Sequence, residues 1–204
     1  MRLPARILAS VALALSIGGC SVSSLLGGGG KPPSTLLTLT SEAPATGEFT
    51  RAAPAGQAVT INTPVISKEL RTVRIPVQAT PTDVQYVPEA QWVDTPDRLF
   101  ASLLAETIRR TTNRVVLDPA VTGLDPGLLV SGQLHSFGYD VASGQVVVRF
   151  DATLSTAGGT RVENRRFEAT APSAGTAQDI GPALNRAANQ VANEVAAWIN
   201  TGTS

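Results

Sequence analysis

Cys20 is the residue whose type and setting most directly imply chemistry. It is the only cysteine in the chain, and it follows Ile17, Gly18 and Gly19. Before it stand a basic head, Arg2 and Arg6, and an apolar run over residues 7–17 broken only by Ser10 and Ser16. That is the layout of a secretory signal with a small-residue cleavage site. An apolar residue, two small residues and Cys make a bacterial lipobox. Its thiol is the nucleophile that accepts a diacylglyceryl group. Gly18 and Gly19 let extended backbone enter the peptidase that cuts before Cys20, and the freed amine can then be acylated. One chain holds only marginally, whereas two or three make a lasting anchor. The apolar run is shorter than the roughly 20 residues that a membrane-spanning helix needs.

Little else in the chain could do chemistry. His135 is the single histidine and sits within a strand pattern. A metal site needs several ligands, so His135 reads as a surface or hydrogen-bonded strand residue. No serine lies in a nucleophile-elbow pattern that would make His135 a triad member. Gly27 to Gly30 lack the Lys-Ser/Thr and the strand-to-helix frame of a phosphate cradle. Asp94 and Asp97 are explained by helix capping. No enzyme and no cofactor are expected.

Composition agrees with an exported, folded domain. Removal of the first 19 of 204 residues leaves 185, enough for one domain with a core. It also removes Arg2 and Arg6 and no acid, leaving 14 basic and 16 acidic residues. That balance has no footprint for nucleic acid. With Cys20 used as anchor, the domain holds together without a disulfide. Residues 20–34, with four consecutive glycines and Pro32-Pro33, read as a tether. Ser21 bears on the address. Asp directly after the lipidated Cys favours inner-membrane retention in many Gram-negative bacteria, so Ser21 favours the outer membrane.

The elements that position the rest follow from periodicity. Residues 35–40 and 58–62 read as strands, the latter limited by Pro64. Residues 70–77 form a strand in which Pro76 argues for an edge or a strand end, and residues 83–87 form another. Asp94-Thr95-Pro96-Asp97 starts a helix over 96–111, with Leu99, Phe100, Leu103, Leu104, Thr107 and Ile108 as its buried stripe. Residues 114–117 return as a strand.

Residues 128–139 are a long strand whose apolar parity switches after Leu134. A bulge is required, with Gly132 or Gly138 as its candidates. Residues 145–155 alternate cleanly, Gly158-Gly159 turns the chain, and 161–170 is a charged edge strand. A last helix spans 177–200, with Gly181-Pro182 as a candidate interruption. The expectation is one α/β domain over residues 35–200, a mixed β-sheet with two main helices packed on it, and a tail at 201–204. Trp92 is open to two readings, core packing or an anchor at a protein interface. The same two apply to Tyr86 and Arg74.

Several of these features together resemble a family. They are the lipobox before a short Leu-rich strand, the strand ending at Pro64, Arg74-Ile75, and Tyr86 leading to Trp92. The amphipathic helix with Leu103-Leu104 follows. The last helix carries Ala183-Leu184-Asn185-Arg186-Ala187 and ends in Ala197-Trp198-Ile199. The pattern is similar to the ABC-type transport auxiliary lipoproteins, the group of paraquat-inducible protein C-like lipoproteins. The resemblance implies a docking role in lipid transport between two membranes, beside an ABC permease, its ATPase and an MCE-domain substrate-binding protein. It implies a fold like the N-terminal domain of the Tol-system β-propeller protein, and it brings no catalytic residues. Trp92 and Arg74 match recurrent positions, so Arg74, Tyr86 and Trp92 are the candidate partner-binding residues. Homo-oligomerisation is left open. The alternative is a periplasmic lipoprotein that regulates or scaffolds another envelope assembly, such as a peptidoglycan synthase activator; fold alone does not separate the two.

Overall fold

The computed structural model describes residues 36–44, 52, 57–118, 127–156 and 160–201. Cys20, the tether, Gly158-Gly159 and residues 202–204 of the tail lie outside them; Thr201 is the last residue of the final helix. In chain order the elements are β1 (Ala58–Ile61), β2 (Val65–Ile66), β3 (Arg74–Thr80), β4 (Asp83–Gln91), α1 (Pro96–Thr111), β5 (Val116–Leu117), β6 (Gly127–Asp140), β7 (Gln145–Thr156), β8 (Val162–Pro172) and α2 (Ala177–Thr201). A 3-10 turn, Lys68–Leu70, lies between β2 and β3.

Strand β6 is the spine of an eight-stranded mixed sheet. Along one edge β7 and then β8 add antiparallel. Along the other edge β1, β2 and β3 pair with it in series, all parallel. Pro64 explains part of the segmentation: β1 stops at Ile61 and β2 starts at Val65, because proline has no N–H for a ladder. Beyond β3 lies β4, and beyond β1 lies β5.

Both helices cover one face. α2 lies over β7 and β8, α1 over β1 and β5, and the two helices pack together. Strand β7 shows the reason in its sequence. Val146, Val148, Phe150, Ala152 and Leu154 are buried, while Val147, Arg149, Asp151, Thr153 and Ser155 alternate to the other side. The Phe100 and Phe150 rings meet edge-on at 5.2 Å, tying α1 to the sheet. Phe167 and Trp198, at 5.5 Å, tie β8 to α2.

Helix α1 has the expected bounds. Thr95 is its N-cap residue without a side-chain capping bond, and the Thr95 amide donates instead to Asp94 Oδ1 at 2.7 Å. Helix α2 runs unbroken through Pro182, so the interruption expected at Gly181-Pro182 does not occur. The buried stripe on either side, from Ile180 and Leu184 to Val195 and Ile199, holds the helix across the lost hydrogen bond.

The parity switch in β6 is present, but its bulge is at neither glycine. Leu134 faces Phe150 and Ser136 faces Arg149, so His135 is the extra residue. The glycines serve close approach. A Cβ at Gly132 would lie 2.1 Å from the Asp151 carbonyl oxygen, and one at Gly138 would lie 2.4 Å from that of Pro76. Strand β3 lies between β4 and β6 rather than at an edge. Its β6 ladder begins at Val77, so the missing N–H of Pro76 falls just before it. Strand β4 extends past the expected Val87 to Gln91 by an irregular stretch containing Pro88 and Glu89, the latter at φ 61°. Only Val116–Leu117 of the expected 114–117 strand forms.

The strand expected over 35–40 is a single parallel bridge, Leu37 to Trp92, within a longer extended strap. Leu37 and Leu39 turn partly inward against the core, and Leu36, Thr38 and Thr40 are exposed. The alternation is that of a strand, but most of the strap's partners are helix side chains rather than a ladder.

Candidate functional site

The strap, residues 36–44, is held by polar side chains that project from the two helices. Asn189 on α2 donates to the Thr40 carbonyl at 2.8 Å and accepts the Glu42 amide at 2.8 Å. One turn earlier, Asn185 accepts the Thr40 amide at 2.9 Å and donates to Glu42 Oε1 at 2.9 Å. From α1, Arg110 donates to the Ala43 carbonyl at 3.0 Å, and the Thr107 and Ser41 hydroxyls lie 3.2 Å apart. The carboxamides thus offer the strap a donor and an acceptor, as a neighbouring strand would. Sequence reasoning noted Asn185 only as part of a pattern and missed Asn189 and Arg110. The available signal was an asparagine at position 189 in register with a buried helical stripe, where an unpaired amide would be costly.

Opposite the helices the sheet carries cross-strand ion pairs, and among the described residues no helix covers that face. Asp151 on β7 accepts two bonds from Arg166 on β8, at 2.6 and 2.7 Å, and lies 3.0 Å from His135 Nε2 on β6. The Arg166 hydrogen bonds, with the Arg166 charge adding to them, hold the Asp151 carboxyl at about 2, below its usual 3.8. Arg149 pairs with Glu168 beside them, and that contact holds Glu168 below the ordinary carboxylate range. His135 is therefore a hydrogen-bonded strand residue in a bulge, with its partner named. Among the described residues no group of three or more His, Cys, Asp or Glu could hold a metal ion.

A groove of about 370 Å³ opens on this face between the β3–β4 hairpin and the β6–β7 pair. Pro76, Val84 and Val147 give it an apolar lining; Glu69, Asp140 and Arg149 give it charge. The three candidate partner-binding residues separate around it. Arg74 and Tyr86 are brought together, with the guanidinium 4.1 Å from the ring centroid. The Tyr86 hydroxyl donates to the Glu69 carbonyl at 3.3 Å, fixing the ring. Trp92 goes elsewhere. It is 1% exposed and packs on Phe137 at 5.6 Å, while its backbone amide bonds the Val73 carbonyl at 2.8 Å. No partner can reach that indole in this fold, so its interface reading is corrected to core packing.

The strap, the ion-paired face and the groove are the features that the described residues present. The model of the family described as ABC-type transport auxiliary lipoprotein component matches residues 37–196. The chain belongs to that family. The match begins at the strap's bridge to Trp92 and ends within α2, so it takes in the strap, the sheet and both helices. The family is one of transport auxiliary lipoproteins and not of enzymes.

No curated protein sequence matches the chain. Among solved structures, a Xanthomonas campestris protein of family DUF330 is similar at 18% identity and TM-score 0.69, over 81% of this chain and 94% of that one. An uncharacterised protein is similar at 13% identity and TM-score 0.62, over 74% of this chain and 96% of that one. These likenesses support the mixed sheet with two helices, and neither bears on the expected Tol-type domain. Among the described residues no helix is long and apolar enough to cross a membrane.

Proposed function

We propose that this auxiliary lipoprotein is anchored in the outer membrane through lipid on Cys20 and faces the periplasm. There it acts as a docking component of an ABC/MCE-type intermembrane lipid transport system. The observation that carries the reading is the family match over residues 37–196. The lipobox residues Ile17-Gly18-Gly19-Cys20 support the anchor, and Ser21 supports the outer-membrane address. The groove combines an apolar lining from Pro76, Val84 and Val147 with the charges of Glu69, Asp140 and Arg149. Arg74 and Tyr86, stacked beside it, are the residues we assign to partner contact.

A tagged protein purified from detergent-solubilised envelopes is expected to bring down the permease, its ATPase and the MCE-domain protein. Their reproducible absence would overturn the docking role. The Cys20→Ser protein is expected to lack the lipid mass and to leave the membrane fraction. An unchanged membrane fraction for that variant would overturn the anchor.

A further inference from the structure

Strand β4 is the end of the sheet on one side and pairs only with β3. Its outer edge over residues 83–87 has no strand neighbour among the described residues. Sheet edges are usually blunted by lysines, inward charges or prolines. This one carries a single charge, Asp83 at the hairpin turn, followed by Val84-Gln85-Tyr86-Val87. Val84 is 38% exposed. The irregular stretch at Pro88 and Glu89 ends the free edge on its other side.

Two observations say what kind of chain fits there. The first is that the same side already takes extended backbone a few residues on. Leu37 donates to the Gln91 carbonyl at 2.8 Å, and Val93 donates to the Leu37 carbonyl at 2.9 Å. At that point the strap makes a single parallel bridge beside the end of β4. The second is charge. Arg74 is exposed, stacked on Tyr86 and without a carboxylate in ion-pair reach among the described residues. A guanidinium held flat on a ring is pre-organised for a carboxylate, so less freedom is lost when the pair forms. Asp83 disfavours an acid at the hairpin end, which leaves Tyr86 as the place for it.

We propose that residues 83–87 of β4 accept an extended segment of a partner protein as an added strand, with an acidic side chain of that segment on Arg74 above Tyr86. Main-chain hydrogen bonds supply the affinity of such additions and the side chains supply the choice of partner. The proposal deepens the docking reading and relies on it for a partner's existence; its test reads the edge alone.

The test uses the full-length lipoprotein in detergent and three labelled ten-residue probes of alternating Val and Thr. One has a central Glu, one has Lys there, and one is the Glu peptide with alternate backbone amides N-methylated. Fluorescence anisotropy should show the Glu probe binding about tenfold tighter than the Lys probe, with binding of the N-methylated probe lost. The Arg74→Glu protein, which changes an exposed side chain, should keep its melting temperature and reverse the order. Equal binding of the Glu and Lys probes, full binding of the N-methylated probe, or no binding of any probe overturns the proposal. A transporter that fails to co-purify while the probes behave as expected would sink the transport role and leave the edge site standing.

Discussion

The Asn189 side chain and the Thr40 carbonyl, 2.8 Å apart, join two parts of the chain separated by 149 positions. Asn189 is 2% exposed, and its amide also bonds the Asn185 carbonyl at 2.9 Å. This buried carboxamide bonds the strap at both Thr40 and Glu42.

Asn189→Ala is therefore expected to cost about 2–3 kcal/mol, because it leaves the Thr40 carbonyl and the Glu42 amide without their partner. Asn185 is more exposed, and Asn185→Ala should cost under about 1 kcal/mol, since water can replace its bonds. Urea titration of both variants gives the comparison. Hydrogen exchange should show faster exchange at the Glu42 amide in the Asn189 variant alone. Equal losses for the two variants would mean that burial of Asn189 does not matter.

Gly138→Ala tests the close passage of β3 over β6. The new methyl would lie 2.4 Å from a backbone oxygen, which cannot swing away as a side chain does. The expected loss is about 1–3 kcal/mol. Gly144→Ala is the contrast: its φ is +66°, but nothing lies within 4 Å of the new atom. The expected cost there is backbone strain alone, about 1–2 kcal/mol. Shifts in the hairpin signals from residues 76–84 should accompany only the Gly138 change, and their appearance in both variants would argue against a local clash.

The Asp151 cluster predicts a pH dependence with a definite sign. The folded carboxyl titrates at about 2, the unfolded one at the ordinary 3.8. Its stabilising contribution is complete above the unfolded value and is lost as pH falls from about 4 towards 2. Asp151 is 36% exposed and Arg166 60% exposed, so screening keeps the contribution below about 1 kcal/mol. Asp151→Asn should be less stable than the parent at pH 6, and the gap should narrow as the pH falls from about 4 through about 2. A gap between the two that stays constant over that range would remove Asp151 as its source.

Much of the fold could be read locally. The bounds of α1 followed from Pro96 and from a stripe repeating every turn, and β7 followed from strict alternation. Both are one-dimensional patterns produced by a helix or strand with one buried side. The switch of parity in β6 was visible for the same reason. Its location at His135 was not, because two glycines lay within reach and their role depends on which backbone crosses them. Arg74 and Tyr86 were both singled out from sequence, yet their stacking required the β3–β4 register. Trp92 could not be assigned until Phe137 and Leu37 were placed around it.

By itself the sequence determined the Ile17-Gly18-Gly19-Cys20 pattern, one α/β domain and its two helices. Each of these rests on residue type and short-range spacing. Tertiary structure decided that residues 36–44 form a strap rather than a strand, that Asn189 secures it, that β3 is internal, and that the edge at 83–87 has no strand neighbour among the described residues. Those outcomes depend on which distant segments meet, such as Thr40 with Asn189 and Leu37 with Trp92. Long-range pairing is set by the packing of the whole core, and no local pattern in this chain encodes it.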